Sequence, residues 1–379
     1  MKQAKNMKKN KLILIYGLKT SDYFWAKNEF YPIKRIADYC KMQNIEFCLF
    51  LPEDFEKIFN YFFSNFALPA FKIEVFNFLN NSTILLRGEI EKSVYTIFEF
   101  IKTQFLSDKN FNKNFNFNFT PKLNAKILAD NKKTMYDFFY KHNFPFPKSV
   151  FVNFYSIKKE KFENIFENIK KNLGMPFVAK PVFGSQGRGV KLIENKNDFF
   201  SLFDEKKCKK NCKKNCEELI FQQFIKTSEK FSFDLRFFVS KNTVLACALR
   251  KSTHNFLSNF HFGAKIEIIK NAKDLKNCGV FNISQNQFKK MKKIAVRVIK
   301  KAGLLYGSAD FLILQNVASV KNCKNAQNEL KNKKIRKNKK ASQIFLCEIN
   351  ASPGFEGIEN AQNERIEIVP TLIEEILKF

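Results

Sequence analysis

The chain has 379 residues, 45% of them hydrophobic and 27% charged, with a formal net charge of +30. That length suggests two to three domains, and the composition excludes a globally disordered chain. No apolar run approaches the ~18 residues of a membrane span, and the apolar stretch from Leu12 to Tyr16 is too short for a secretory core, so the expectation is a soluble, cytoplasmic protein with no membrane partner.

Taken in chain order, Lys11 to Gly17 (KLILIYG) reads as a buried strand, Trp25 to Asn44 as a helix, and Ile45 to Leu51 and Ser82 to Ile90 as further strands. Strand–helix–strand order implies a parallel sheet covered by helices, so the first ~120 residues form a small α/β domain. Lys109 to Phe119 (KNFNKNFNFNF) is low in complexity and is expected to be a loop. Leu123 to Asn143 reads as one helix, ended by Pro145 and Pro147. Phe177 to Pro181 is a strand entering a glycine-rich loop, Gly184-Ser185-Gln186-Gly187-Arg188-Gly189, and Val190 to Glu194 returns from it. Leu219 to Ile225 is another strand. Asp234 to Ser240 and Thr243 to Ser252 form a hairpin with Asn242 in the turn. Gln287 to Ala302 is an amphipathic helix, Ala309 to Leu314 and Ile344 to Asn350 are strands, and Pro370 to Phe379 is a terminal helix.

The charge invites a nucleic-acid reading, but 14 of the 30 net charges lie in two lysine-rich stretches, 206–214 and 321–340, that look like loop insertions. No basic face interleaved with aromatics appears, so no specific nucleic-acid partner is expected; a basic surface still favours anionic substrates. The nine cysteines are odd in number and scattered, as expected for free thiols in a reducing compartment. Cys208, Cys212 and Cys216 lack the paired Cys-x2-Cys spacing of a zinc site and read as a solvated loop.

Two constellations carry chemistry. Glu348 and Asn350 point to one face of their strand, and Asp310 lies on a strand able to pair with it. Three oxygen donors of this kind suit a hard cation such as Mg2+; the alternative is a set of solvated strand ends. The second is the GSQGRG loop between strands. Its small residues let backbone N–H groups approach phosphate, with Lys180 and Lys132 nearby to neutralise charge, although a plain hairpin loop has the same appearance. It is neither a Walker A loop nor a dinucleotide fingerprint.

Together with MPFVAKPVFGSQGRGV, FQQFI, FDLRFFV, LRKS, SNFHFGA and SADFL, the segment from Glu348 to Glu359 (EINASPGFEGIE) resembles the ATP-grasp superfamily, and within it the RimK-like α-L-glutamate ligases. The resemblance runs in order from Asn124 to the carboxyl end and touches the leading domain chiefly through LLRGEI. It implies an α/β fold with α+β lobes. A Rossmann-like parallel-sheet domain (1–122) would precede a central lobe with the lid loop (123–226) and a carboxyl-terminal lobe with the metal site and a basic insertion at 316–341 (227–379).

The resemblance also implies roles for residues. Lys132 and Lys180 would contact ATP phosphates, and Gly184, Ser185, Gln186 and Gly187 would form the lid. Gln222, Gln223, Phe224 and Ile225 would line the adenine pocket, with Asp234 at the ribose or lid edge. Asp310, Glu348 and Asn350 would hold two Mg2+ or Mn2+ ions, and Arg250, with Lys180, would serve the transferring phosphoryl group. Arg87, Arg236, Ser258, Asn259 and His261 would lie near the acceptor carboxylate or the incoming amino acid. Gln223 stands where these ligases often carry Glu, which changes the character of one adenine contact, and Leu257 where they often carry Arg, which loosens the usual second-substrate specificity.

The implied activity is ATP-dependent joining of a carboxylate to an amine through an acyl phosphate. Glutamate is the favoured amino acid, and the acceptor is a protein C-terminus or a small molecule. A homo-oligomer is compatible with this. The rivals are a ligase acting on a small cofactor or dipeptide, and a basic ribosome- or RNA-associated protein with a degenerate nucleotide site.

Overall fold

The computed structural model describes residues 11–18, 22–65, 69–88, 90–109, 117–154, 157, 159–184, 187–203, 218–253, 255–258, 263–281, 283–314, 342–361, 364 and 366–378. Both lysine-rich stretches and the three cysteines at 208, 212 and 216 lie outside them. The described residues form three sheets.

The first comprises β1 (Lys11–Gly17), α1 (Tyr23–Asn28), α2 (Tyr31–Met42), β2 (Glu46–Phe50), α3 (Pro52–Asn65), α4 (Pro69–Leu79), β3 (Ser82–Gly88), α5 (Lys92–Ser107) and β4 (Phe117–Thr120). Its strands run parallel in the order β2-β1-β3-β4. Leu12, Ile13, Leu14 and Ile15 are fully buried because helices cover both faces of β1. Leu12 and Leu14 pack with Ile33, Ile36 and Leu372 on one side, and Ile13 and Ile15 with Phe55, Val94 and Phe98 on the other. Each such side chain contributes ~1.5–3 kcal/mol by leaving water.

Two expectations change here. The helix read over Trp25 to Asn44 is divided, because Phe30 is extended and Pro32 starts a new helix. The end of the stretch expected to be a loop is strand β4. It pairs with β3 from Ser82↔Phe117 to Leu85↔Thr120 and buries Phe119.

The second sheet follows α6 (Leu123–Asp130) and α7 (Lys132–Lys141). It contains β5 (Ser149–Asn153), α8 (Phe162–Leu173), β6 (Phe177–Pro181), β7 (Lys191–Ile193), α9 (Lys196–Phe200) and β8 (Glu218–Gln223), in the antiparallel order β5-β8-β6-β7. The single helix read over Leu123 to Asn143 is two. Asn131 is extended, bridges Phe183, and caps α7 by accepting from the Thr134 N–H. That break puts Lys132 at the first position of α7.

The third sheet holds β9 (Ser232–Ser240), β10 (Thr243–Ser252), β11 (Lys265–Ile268), α10 (Ala272–Asn277), α11 (Gln285–Lys301), β12 (Tyr306–Leu314) and β13 (Gln343–Asn350), followed by α12 (Glu356–Glu359) and α13 (Ile368–Leu377). Its order is β11-β10-β9-β12-β13, antiparallel throughout. A capping box of Ser284 and Gln287 starts α11, which buries Phe288, Met291, Ala295 and Val298 at helical spacing. Met135, Tyr136 and Phe139 of α7 belong to the same apolar cluster as Phe237 and Phe311, so α7 packs on this sheet.

At the carboxyl ends of β1 and β3 the backbones meet at Gly17 and Gly88. Gly88 has φ +75°, and a Cβ there would lie 2.6 Å from the Gly17 carbonyl oxygen. Gly88→Ala is therefore expected to destabilise the protein by about 1–3 kcal/mol in chemical denaturation. An unchanged midpoint would show that the two strand ends separate at little cost.

Candidate functional site

A cavity of about 380 Å³ lies between the second and third sheets. Lys132, Lys180, Gly184, Gly187, Gln222, Gln223, Phe224, Ile225, Asp234, Arg250, Ser258, Asp310 and Glu348 all line it. Arg236 and Asn350 adjoin it through their partners, as described below. Ser185, Gln186, Asn259 and His261 lie outside the described residues.

One wall is set by β6 and β8. Val178 pairs with Gln222, and alternation places Lys180 on the same face as Gln222. The Lys180 ammonium donates to Gln222 Oε1 at 2.6 Å. The amide nitrogen of Gln222 donates to the Tyr136 hydroxyl at 2.8 Å and to Ser149 Oγ at 3.2 Å. Tyr136 in turn donates to the Cys347 carbonyl at 3.1 Å. Every donor of this buried chain has an acceptor, so Lys180 is fixed in direction. Burial works against its charge, but the surrounding Cys347, Tyr136 and Glu348 outweigh that and hold its pKa above the usual lysine value. Lys132 donates to the Gly184 carbonyl at 2.7 Å, and burial lowers its pKa, with Glu348 opposing.

The opposite wall follows from strand register. Asp234 and Arg236 share a face of β9; Arg250 lies opposite Asp234, Asp310 opposite Arg236, and Glu348 opposite Asp310. Arg250 forks onto Asp234 at 2.6 and 2.7 Å and reaches Asp310 at 2.8 Å. Arg236 forks onto Asp310 at 2.8 and 2.6 Å and approaches Glu348 at 3.8 Å. Ser258 donates to Asp234 at 2.5 Å. Burial alone would raise the Asp310 carboxyl, but Arg236 and Arg250 pull it down to about 2. Burial raises Asp234, with Arg250 opposing and Asp310 adding to the rise.

Arg87, expected beside the acceptor, lines no part of this cavity. It is buried between the first and third sheets, where it donates to the Tyr306 hydroxyl and the Pro353 carbonyl. Asp234, expected at the ribose or lid edge, lines the cavity and has both carboxylate oxygens engaged by Arg250. Gln222, expected to line the adenine pocket, lines the cavity and directs its amide oxygen to Lys180.

Sequence reasoning passed over Tyr136 and Cys347. Tyr136 stands four residues beyond Lys132, on the same side of α7, a spacing that would have drawn attention had the helix start been known. Cys347 is the extra residue where the β12–β13 register slips between Asp310↔Glu348 and Phe311↔Leu346. Such a bulge re-aims a side chain, and here both Cys347 and Glu348 reach the cavity.

The donors near Asp310 fit a hard divalent cation. A carboxylate has about four acceptor positions, and the two arginines take three of those on Asp310. Glu348 is a third exposed, and Asn350 is turned to Ser308 at 3.3 Å on the same face. Among the described residues no group of three or more His, Cys, Asp or Glu side chains is placed to hold a metal. A cation here would rest on two carboxylates, one amide and oxygens of its ligand.

An antiparallel sheet and a second strand-rich lobe enclose the cavity, with lysines on one wall and carboxylates on the other. The fold aligns with D-alanine–D-alanine ligase from Bacillus anthracis over 97% of this chain and 96% of that one, at a TM-score of 0.57 and 12% identity. It aligns with the ATP-grasp ligase PsnB over 97% and 98%, at a TM-score of 0.51 and 13% identity. The profile of the RimK-like ATP-grasp domain matches residues 129–330, and the chain belongs to that family. Relatives named probable alpha-L-glutamate ligase include one from Shewanella pealeana, 27% identical over 54% of this chain, and one from Saccharophagus degradans, 25% identical over 58%. The chain spans 34% and 54% of their respective lengths.

Asp310→Asn leaves Arg236 and Arg250 without their shared charge. The loss is expected to be on the order of 3 kcal/mol near neutral pH. A carboxyl held low in the folded state stabilises above its unfolded value of about 4, and that contribution drains away as pH falls through about 2. The gap between wild type and variant should therefore narrow below pH 4 in urea melts. A gap independent of pH would contradict the ion-pair account.

Proposed function

We propose that the protein is an ATP-dependent, ADP-forming carboxylate–amine ligase, acting in the cytoplasm, that joins an amino acid to a carboxylate acceptor. The observation that carries this is the arrangement of Lys132 and Lys180 across one cavity from Asp310 and Glu348. Cations and hard oxygen donors lining one cavity suit a triphosphate tail. The apolar Val178, Phe224, Ile225 and Leu312 in the same cavity suit a purine ring.

In this reading Lys132 and Lys180 bind phosphate oxygens, and the Gln222 amide keeps Lys180 aimed at them. Arg250, locked between Asp234 and Asp310, presents fixed positive charge at the transferring phosphoryl group. A magnesium ion held by Asp310, Glu348 and Asn350, with a second beside it, would supply neutralisation of charge on the phosphates. The acceptor carboxylate takes the γ-phosphoryl group, giving an acyl phosphate and ADP. The amine nitrogen then attacks the acyl carbon, forming the amide and releasing phosphate. No side-chain nucleophile is required, and the work done is positioning and charge.

Glutamate is the favoured amino acid, on the strength of the relatives' names. The acceptor is a protein C-terminus or a small carboxylate. Phe256 and Leu257 line the cavity, so part of the wall that receives the substrates is apolar. Ser258 acts through Asp234 rather than through free contact with substrate.

ADP release measured against a panel of amino acids and carboxylate acceptors tests the reading. At least one pair should stimulate turnover, and Glu348→Gln should lower that rate roughly 10²–10³-fold while the far-UV spectrum stays unchanged. Full turnover by the variant would remove Glu348 from the reaction. A nucleotide that fails to bind at all would remove the ligase assignment.

A further inference from the structure

We propose that Arg87 is a positioning residue that ties the amino-terminal sheet to the cation-binding ends of β12 and β13; this rests on the reading of Asp310, Glu348 and Asn350 as cation ligands. Arg87 lies opposite Tyr16 near the carboxyl end of β3, is 1% exposed, and is among the largest fully buried side chains. A buried guanidinium is costly unless it is paired or hydrogen-bonded. Among the described residues no carboxylate lies within ion-pair distance of it, and its Nε has no hydrogen-bond partner. Its contacts are of another kind.

One arm of the fork donates to the Tyr306 hydroxyl, and the other donates to the Pro353 carbonyl at 2.8 Å. The ring of Phe355 lies 4.8 Å from the guanidinium, with Tyr306 at 5.6 Å and Tyr16 at 5.9 Å. Tyr306 opens β12, the strand of Ser308 and Asp310. Pro353 lies just beyond Asn350, the last residue of β13. One side chain of the first sheet therefore grips both strands that carry the proposed ligands, each at the end nearest Asn350.

Two neighbouring contacts reinforce the grip. Ser352 Oγ donates to the Leu86 carbonyl at 3.5 Å, and Asn350 donates to Ser308 at 3.3 Å across the two strands. The strands approach closely here, since a Cβ on Gly307 would lie 2.7 Å from the Asn350 carbonyl oxygen. A shift of the 351–354 turn would carry Asn350 with it and change its separation from Asp310. Lysine at position 87 keeps the charge but lacks the rigid fork that spans the first residue of β12 and the turn after β13.

Mn2+ uptake by the full chain with ADP present, read from the loss of the free Mn2+ paramagnetic resonance signal, tests this alongside ADP binding by calorimetry in EDTA. Arg87→Met should weaken Mn2+ binding about tenfold or more and Arg87→Lys by a smaller factor, with metal-free ADP affinity within about twofold of wild type. Arg87→Lys keeps the test open if Arg87→Met does not fold. Wild-type Mn2+ affinity in the folded variants overturns the proposal. So does a parallel loss of metal-free ADP affinity, which marks general disruption of the cavity. A wild-type chain that takes up no Mn2+ overturns both this proposal and the cation assignment beneath it, whereas uptake by wild type and variants alike overturns this proposal alone.

Discussion

The carboxylate of Asp310 is the constraint on which the site depends. It is 1% exposed, and two arginines from two neighbouring strands hold it. A buried carboxylate without such partners would take up a proton or turn to solvent. With them it stays ionised and fixed, and it fixes them in return. One nitrogen of Arg250 donates to both Asp234 and Asp310, and Arg236 stands between Asp310 and Glu348. The register of β10-β9-β12-β13 makes this row possible, because side chains directly opposite on antiparallel strands share a face. The chemistry of the third sheet is thus a property of its strand pairing before it is a property of any one residue.

The lysine wall solves a related problem in another way. Lys180 is part-buried, and the short contact that directs it is to a neutral amide. A carboxylate in place of Gln222 would hold the ammonium as well and would cancel the charge that an incoming anion needs. Tyr136 and Ser149 use the remaining capacity of the amide, so Gln222 cannot rotate to present its nitrogen to Lys180. The two walls therefore differ in construction: one fixes carboxylates with arginines, and the other aims an ammonium with a neutral amide.

Much of this is legible in the chain before any coordinates. Short apolar runs such as Leu12 to Ile15 and Phe177 to Ala179 are legible as strands because they are too short for a helix and end at Gly17 and Pro181. Alternation along β13 places Glu348 and Asn350 on one side. What is not legible has local causes. In α4, PAFKIEVFNFL, apolar residues fall all round the helix and hide its period. In β4 the alternation of Phe with Asn is strand-like, but it sits in a low-complexity stretch that reads equally as a loop. Asn131 inside an apparently continuous helix is a cap that only its pairing with Phe183 reveals. Arg87 is placed near the acceptor carboxylate or the incoming amino acid only by the family resemblance; its contacts in the fold depend on two acceptors more than two hundred residues away.

The balance of charge across the cavity links the two walls. Lys132, Lys180, Arg236 and Arg250 face Asp234, Asp310 and Glu348, a surplus of one positive charge. Two of the arginine charges are already committed to the aspartates. A triphosphate tail brought in alone would meet the like charge of Glu348 as well as the lysines. A divalent cation on Glu348 and Asp310 reverses the sign of that wall. Nucleotide and cation are thus expected to bind cooperatively, each removing the obstacle the other meets. The β-bulge at Cys347 contributes by letting Glu348 stay opposite Asp310 while the chain still carries Leu346 into the core.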